Sequence, residues 1–304
     1  MAKQNSSDIL LEAGTNELMI MEFSIDGRSY GINVAKVSEI MQYQPVTPVP
    51  NSSKFVEGVF KPRDNIITVI DLPLYLGLSP SRPGNKDIMI ITNFNNVNNA
   101  FHVHNVEMIH RISWTAMEKP DETIYNNVDN VTIGIARIGE KLINILDFEK
   151  IMAEIGPGTG LDPKSFKKTE VIHNNAIYIA EDSLFLMKLI EECLHNAGYV
   201  NLITFSNGMD CLNALLKVKD EHKDSLSDHA AILITDIEMP MMDGHALTKA
   251  VKTDPVLHQI PVIIFSSLIN ESMMQKGRSV GADDQISKPE IHRLVEIIGE
   301  YTKK

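Results

Sequence analysis

The segment Leu233-Ile234-Thr235-Asp236-Ile237-Glu238-Met239-Pro240-Met241-Met242-Asp243-Gly244 decides the fold of the second half of this 304-residue chain. It starts as a short apolar run, stops on a carboxylate and leaves through Pro and Gly, residues that halt both helices and strands. That is the text of a buried strand delivering an acid to a turn. Upstream, Ala176-Ile177-Tyr178-Ile179-Ala180 is a second such strand and ends on Glu181-Asp182. After it, Leu184, Met187, Ile190, Leu194 and Ala197 recur at helical spacing, and Gly198 closes the helix. Further apolar runs cover Val200 to Phe205, Pro261 to Phe265 ending at Ser266, and Asp284 to Ser287 ending at Lys288-Pro289. A last helical pattern runs from Glu290 to Tyr301. Five strands alternating with five helices imply a doubly wound α/β domain on a five-stranded parallel sheet.

In an open parallel sheet, functional groups gather beyond the carboxyl ends of the strands. There the strands deliver Glu181 and Asp182, Asp236, Ser266 and Lys288. Three carboxylates at one sheet edge repel one another unless a cation sits among them, and oxygen-only ligands select a hard ion, Mg²⁺ or Mn²⁺. A lysine and a hydroxyl beside them complete the requirements of phosphoryl transfer: a carboxylate nucleophile, positive charge for the equatorial oxygens and a donor to one of them. The reaction suggested is phosphorylation of Asp236. Taken singly, each residue has a plainer reading. Glu181-Asp182 could cap the next helix, Lys288 could be a surface lysine and Ser266 a strand-end turn residue. Their joint order on successive strand ends favours the phospho-acceptor site.

This text resembles the CheY-like receiver domains of two-component signalling, over about residues 174–302. Ala180-Glu181-Asp182-Ser183, the Asp236 segment, Pro261 to Ser267 and Gly281-Ala282-Asp283-Asp284-Gln285-Ile286-Ser287-Lys288-Pro289 carry the resemblance, with Ser266 and Lys288 at the usual 30 and 52 positions beyond Asp236. It implies a flavodoxin-like fold, Asp236 as acceptor, and Glu181, Asp182, Asp236 and the Glu238 backbone carbonyl as metal ligands. Ser266 would be the switch hydroxyl and Lys288 the phosphate-sensing lysine. The sequence departs from the family pattern at Gln285, where an aromatic switch residue usually stands. Glu238 adds a carboxylate that would repel attacking water, so a long-lived phosphoryl group is expected.

The first half is written differently. Leu18 to Phe23, Ile66 to Ile70, Ile88 to Ile91 and Val131 to Ile135 read as short strands, and Asp26-Gly27 is a direct hairpin cue. Short helices are expected near Val34 to Ile40 and from Asp147 to Ile155, and a hairpin loop at the Asn-rich stretch Asn93 to Asn99. Many strands with few helices indicate an all-β barrel or sandwich. His102 and His104 share a strand face, but no further ligands stand nearby, and they read as structural histidines, while Trp114 reads as a packing residue. Between the halves, Gly156-Pro157-Gly158-Thr159-Gly160 has the spacing of a nucleotide loop but follows a helix and runs to Pro163, which makes it a linker. The expected division is a first domain over 16–155, a linker over 156–173 and a second domain over 174–304.

The chain carries 40 acids against 28 Lys and Arg, a net charge of -12, which speaks against a nucleic-acid partner. From residue 170 onward the imbalance is 20 acids to 12 bases, against 20 to 16 before it, so most of the excess lies with the proposed site. Two cysteines, no secretory signal and no long apolar span point to a reduced cytoplasmic compartment without membrane insertion.

The first half resembles the CheW-like coupling domain over about residues 16–154. Tyr30 to Ile40, Phe55-Val56-Glu57-Gly58-Val59, and Arg63 followed by Ile66 to Leu72 carry the likeness, with Asp64 where glycine is usual. It implies a pair of small β-barrels that perform no chemistry and that connect chemoreceptor tips to a CheA-type histidine kinase. By motif position Val37, Glu39 and Arg63 are candidate partner contacts, although Val37 also suits a core and the two charges a solvated surface. A coupling domain followed by a receiver is the arrangement of CheV-type chemotaxis proteins, so the expectation is a cytoplasmic adaptor at polar receptor arrays, not an enzyme, that is phosphorylated on Asp236 for adaptation or as a phosphate sink. A phosphohydrolase with an aspartyl-phosphate intermediate is the enzyme-class alternative, Glu238 standing where its general acid would be. A transcriptional response regulator is a second, and no basic helix-turn-helix follows the receiver before Lys304.

Overall fold

The computed structural model describes residues 17–62, 65–81, 84, 86–94, 97–113, 116–118, 131–156, 169–267, 269, 271–288 and 290–302. Arg63, Trp114, Pro289 and most of the linker lie outside these residues. The chain divides into two compact units at Pro157.

The first unit opens with β1 (Glu17–Ile25) and β2 (Arg28–Asn33), joined by a two-residue turn in which Asp26 and Gly27 take φ of 49° and 74°. Positive φ at both positions matches the right-handed twist of the flanking strands, which is why Asp-Gly signals a hairpin here. The helix expected near Val34 to Ile40 is a single 3-10 turn, Val34–Lys36, followed by β3 (Val37–Gln42), because residues 37–42 pair antiparallel with β6. Sheet pairing here overrides the local apolar spacing. There follow β4 (Val56–Phe60), β5 (Ile67–Asp71), the short α1 (Leu72–Tyr75), β6 (Ile88–Phe94), β7 (Val97–Val103), β8 (Asn105–Ser113), β9 (Met117–Glu118), β10 (Thr132–Ile138), β11 (Lys141–Leu146) and α2 (Phe148–Ile155). The Asn-rich loop is narrower than its composition suggested. Asn93, Asn98 and Asn99 belong to paired strands, and the Asn93 Nδ2 donates to Asn98 Oδ1 at 2.7 Å.

These strands make a six-stranded sheet, β8-β1-β2-β11-β10-β9, and a five-stranded sheet, β3-β6-β7-β5-β4. Met21, Phe23 and Ile25 of one and Ile70, Ile90 and Phe101 of the other share a core with Phe148 and Ile151 of α2. Each sheet also encloses its own small cluster: Ile20, Ile143 and Ile145 in the first, Val69, Met89 and Ala100 in the second. Two apolar faces per sheet explain why the strands read as continuous apolar runs and fit a paired β architecture.

The second unit follows the alternation read from sequence. β12 (Ile177–Ala180), α3 (Leu184–Asn196), β13 (Leu202–Phe205), α4 (Gly208–His222), the short α5 (Leu226–His229), β14 (Ile232–Thr235), α6 (Gly244–Thr253), β15 (Val262–Ser266), α7 (Glu271–Ser279), β16 (Asp284–Ser287) and α8 (Ile291–Thr302) form a sheet ordered β13-β12-β14-β15-β16, parallel throughout. One core packs α3 and α8 on the sheet and another packs α4 and α6 on its opposite face. Thr169 and His173, assigned above to the linker, are fastened to this unit: their N–H groups donate to Asn196 O at 3.0 Å and Gly198 O at 2.8 Å.

Candidate functional site

β12 and β14 are neighbours, so their carboxyl ends place Glu181-Asp182 beside Asp236 at the point where the strand order reverses. The three side chains offer oxygens that all lie within 4.8 Å of one another. Lys288 reaches in from the end of β16 and its ammonium bridges two of them, at 2.9 Å from Glu181 Oε2 and 3.1 Å from Asp236 Oδ2. Glu181, Asp236 and Lys288 are all nearly inaccessible, whereas Asp182 is half-buried. Ser266 is buried at the end of β15, and its carbonyl accepts from Lys288 N–H at 3.2 Å. The structure therefore brings together Glu181, Asp182, Asp236 and Lys288, with Ser266 on the neighbouring strand end.

The capping alternative for Glu181-Asp182 is answered by the next residue. Ser183 is the N-cap of α3, its hydroxyl accepting from Leu186 N–H at 3.3 Å, while Glu181 Oε1 accepts from Ser183 N–H at 3.3 Å, so the cap of the helix is the serine. Asp236 is held by its surroundings. Its Oδ1 accepts from Ile237 N–H at 2.7 Å, and its own carbonyl accepts from Thr235 Oγ1 at 2.8 Å. Gly244 presses on that carbonyl so closely that a Cβ there would lie 1.8 Å from the Asp236 oxygen, so only glycine lets the loop close. Asp243 caps α6 by accepting from Ala246 N–H at 2.7 Å.

Within this loop Met241 has φ of 65° and is 45% exposed. A left-handed conformation costs an unbranched L-residue about 1–2 kcal/mol, and no packing repays it at an exposed position. Met241→Asn is expected to raise the urea midpoint of the receiver unit by the equivalent of about 0.5–1 kcal/mol, since Asn tolerates this region. A lowered midpoint would show that the methionine side chain holds the loop.

Three acids and one lysine carry a formal net charge of -2, the complement of a single divalent cation. Oxygens shared by one Mg²⁺ ion at about 2.1 Å are held within about 4.2 Å of each other, so the present spread needs little contraction. The donor set, oxygen ligands alone, fits a hard divalent ion.

Gln285 does not face this pocket. Its Nε2 donates to the Met274 carbonyl of α7 at 2.9 Å, so it clips β16 to that helix. Val37 packs against the apolar core of the first unit, as its plainer reading held, while Glu39 is exposed on β3, an edge strand.

The histidines of the first unit part company. His104 Nδ1 accepts from Asp26 N–H at 3.0 Å, and His110 pairs with the buried Glu22 at 2.8 Å. His102 is fully buried, with Nδ1 at 2.6 Å from Glu57 Oε1 and Nε2 at 3.0 Å from Asp87 Oδ2, and the Tyr43 hydroxyl donates to Glu57 at 2.7 Å. Burial works against the charged ring, but the hydrogen bonds and charges of Glu57 and Asp87 prevail and raise its pKa. Both ring nitrogens then donate, and the unit gains a buried ion triad. A raised folded value means that the stabilisation is complete below the free imidazole value of about 6.5 and is lost as pH rises through the folded value. The urea midpoint of the first unit is expected to fall on that alkaline limb. In His102→Gln the limb is expected to be absent, with a loss of about 3 kcal/mol at neutral pH. An alkaline limb that persists in the variant would contradict the triad.

The comparisons with known proteins now fit this geometry. Residues 19–156 match the CheW-like domain and residues 177–299 the response regulator receiver domain. Over 100% of this chain and 99% of its own length, the chemotaxis protein CheV3 of Helicobacter pylori is 31% identical. The chemotaxis protein CheW of Thermotoga maritima is 30% identical over 46% of this chain and 90% of its own length. Among solved structures, the scaffolding protein TtCheW from Thermoanaerobacter tengcongensis is 26% identical, with a TM-score of 0.40 over 43% of this chain and 88% of that one. The two matched domains define a chemotaxis coupling protein that carries its own phosphorylatable receiver. The chain belongs to the CheV family of chemotaxis proteins, and the phosphohydrolase alternative is not favoured. Among the described residues, no helix is long and apolar enough to cross a membrane.

Proposed function

We propose that the first unit docks this chain between chemoreceptor tips and a CheA-type histidine kinase in cytoplasmic receptor arrays, while the kinase phosphorylates Asp236 and so tunes the complex it sits in. The observation that carries the receiver half is the Lys288 ammonium bridging Glu181 and Asp236 beside Asp182. Glu181, Asp182 and Asp236, with the Glu238 carbonyl, would hold Mg²⁺ or Mn²⁺, which supplies positive charge to the phosphoryl oxygens during transfer. An Asp236 carboxylate oxygen attacks phosphorus, the bond from phosphorus to the donor nitrogen breaks, and that nitrogen keeps the electron pair and takes a proton. Lys288 then loses one oxygen of its carboxylate partner and turns to the phosphoryl group, and the Ser266 hydroxyl donates to another phosphoryl oxygen. Gln285, bonded to α7, carries the change at the strand ends to that helix. The role is that of an adaptor whose only chemistry is gaining and losing its own phosphoryl group.

For the first unit, Glu39 on the exposed edge strand β3, with Arg63 and Val37, is assigned to partner contact, and residues 156–173 to a tether between domains 16–155 and 174–304. The test is reconstitution of receptor, kinase and this chain without a separate coupling protein. Receptor control of kinase activity is expected to appear with the chain and to weaken in Glu39→Lys. Kinase activity indifferent to the chain would remove the coupling assignment.

A further inference from the structure

Helix α7 packs against two buried polar groups whose hydrogen-bonding capacity is not fully met. His245, the second residue of α6, is 0% exposed, and neither Nδ1 nor Nε2 has a hydrogen-bond partner of good geometry, the Met273 backbone of α7 being the nearest acceptor to favour a charged ring. Gln285 uses its Nε2 on Met274 O, but its buried Oε1 accepts nothing. The helix approaches this closely because residue 277 is glycine: a Cβ there would lie 2.1 Å from that Oε1. α7 is also lightly held. Gly277 is its only buried residue, whereas α3 buries Leu186, Met187, Ile190, Cys193 and Leu194.

We propose that His245 is an acid-sensitive latch for α7: as a neutral ring it lets the helix close over it, and as an imidazolium it opens the helix. A charged ring would bury two N–H donors with, among the described residues, the Met273 backbone as the one acceptor near them, which disfavours the closed state. The least costly relief is to expose the ring, and the cover that yields is α7, whose one buried residue is Gly277. The charged groups acting on the ring are Lys276 from α7 and Asp243 from the cap of α6; α4 and the 3-10 turn Leu257–Gln259 also pack on α6, and among the described residues no charged group of theirs acts on the ring. Burial first, then Lys276, hold the pKa below its ordinary value against the opposing pull of Asp243 and the Met273 backbone. His245 also follows Gly244, whose backbone rests on the Asp236 carbonyl, so the latch and the acceptor loop share the first turn of α6. That link to signalling rests on the receiver reading; the latch itself does not.

The sign follows from the lowered folded value. The closed state is fully favoured above the free value of about 6.5 and loses stability as pH falls below it. Hydrogen exchange of the full chain, corrected for intrinsic rates between pH 8 and 5.5, reads this directly. The amides of Glu271–Ser279 are expected to lose protection below about pH 6.5, the total loss approaching tenfold for each unit by which the folded pKa is depressed. The amides of α3 are expected to keep theirs, and His245→Leu to make α7 insensitive to pH. Wild-type α7 protection that ignores pH, or an unchanged pH dependence in His245→Leu, overturns the latch. Should the variant fail to fold, NMR titration of the wild-type ring decides: a ring still mostly neutral at pH 6.5 supports the latch, and one half-charged at or above 6.5 overturns it. Neither readout uses a phosphodonor, so its failure is distinguishable from failure of the receiver reading.

Discussion

Asp236→Ala is expected to abolish Mg²⁺-dependent labelling of the full chain by acetyl phosphate or by the kinase, a loss of every detectable count rather than a slowed rate. Glu181 and Asp182 stand close by, but they project from the end of β12, whereas Asp236 alone ends β14, the strand end from which the proposed acceptor reaches the phosphoryl group. Alanine leaves the backbone bonds that position the loop, Asp236 N–H to Ala180 O at 2.9 Å and Gly244 N–H to Ile237 O at 2.9 Å, so the unit is expected to fold and the first unit to keep its partners. Labelling that survives in Asp236→Ala, with the acid-stable character of a serine or threonine phosphate, would move the acceptor elsewhere. The carboxylate of Glu238 gives a further expectation for the wild type, a phosphoryl group that outlasts minutes in purified protein.

Lys288→Ala is expected to have the largest effect on stability. The ammonium bridges two buried carboxylates, with side chains 4% exposed for Lys288 and 2% and 6% for Glu181 and Asp236. Removing one partner of a buried ion cluster leaves uncompensated charge and costs about 3–5 kcal/mol. The lost charge is partly replaceable, and that separates an electrostatic from a packing role. In divalent-free buffer the receiver unit of Lys288→Ala is expected to unfold at much lower urea, and millimolar Mg²⁺ is expected to restore more stability to the variant than it adds to the wild type. A ligand at 100 times its dissociation constant contributes about 2.7 kcal/mol, so recovery of that order is within reach. A destabilisation that Mg²⁺ leaves untouched would mean that Lys288 acts by packing, and that the acids do not hold the ion.

The receiver site was legible in the text because each of its residues ends a strand. Once five apolar runs alternate with helices, the parallel sheet delivers Glu181, Asp182, Asp236, Ser266 and Lys288 to one edge, and distance along the chain ceases to matter. The triad at His102 was not legible, since Glu57 and Asp87 lie 45 and 15 residues away and meet the ring only through the register of the five-stranded sheet. A turn of helix at Val34 was visible, but its extension to Ile40 was not sustained, because pairing with β6 decides the conformation of residues 37–42 and no local pattern records it. Gln285 could be noticed as a missing aromatic, yet its engagement with α7 needs the glycine at 277 as well. A glycine mid-helix, two residues beyond Met274-Gln275, was the available signal.

The coupling and phosphoryl halves of the function meet in one measurement. Receptor–kinase assemblies are formed with wild-type chain or with Asp236→Ala, and kinase activity is followed before and after phosphodonor is added. Both proteins are expected to assemble equally, and phosphodonor is expected to change kinase activity only in the wild-type assemblies. A change of the same size in Asp236→Ala assemblies would contradict control through this aspartate, and failure of either protein to enter the assemblies would contradict the coupling role.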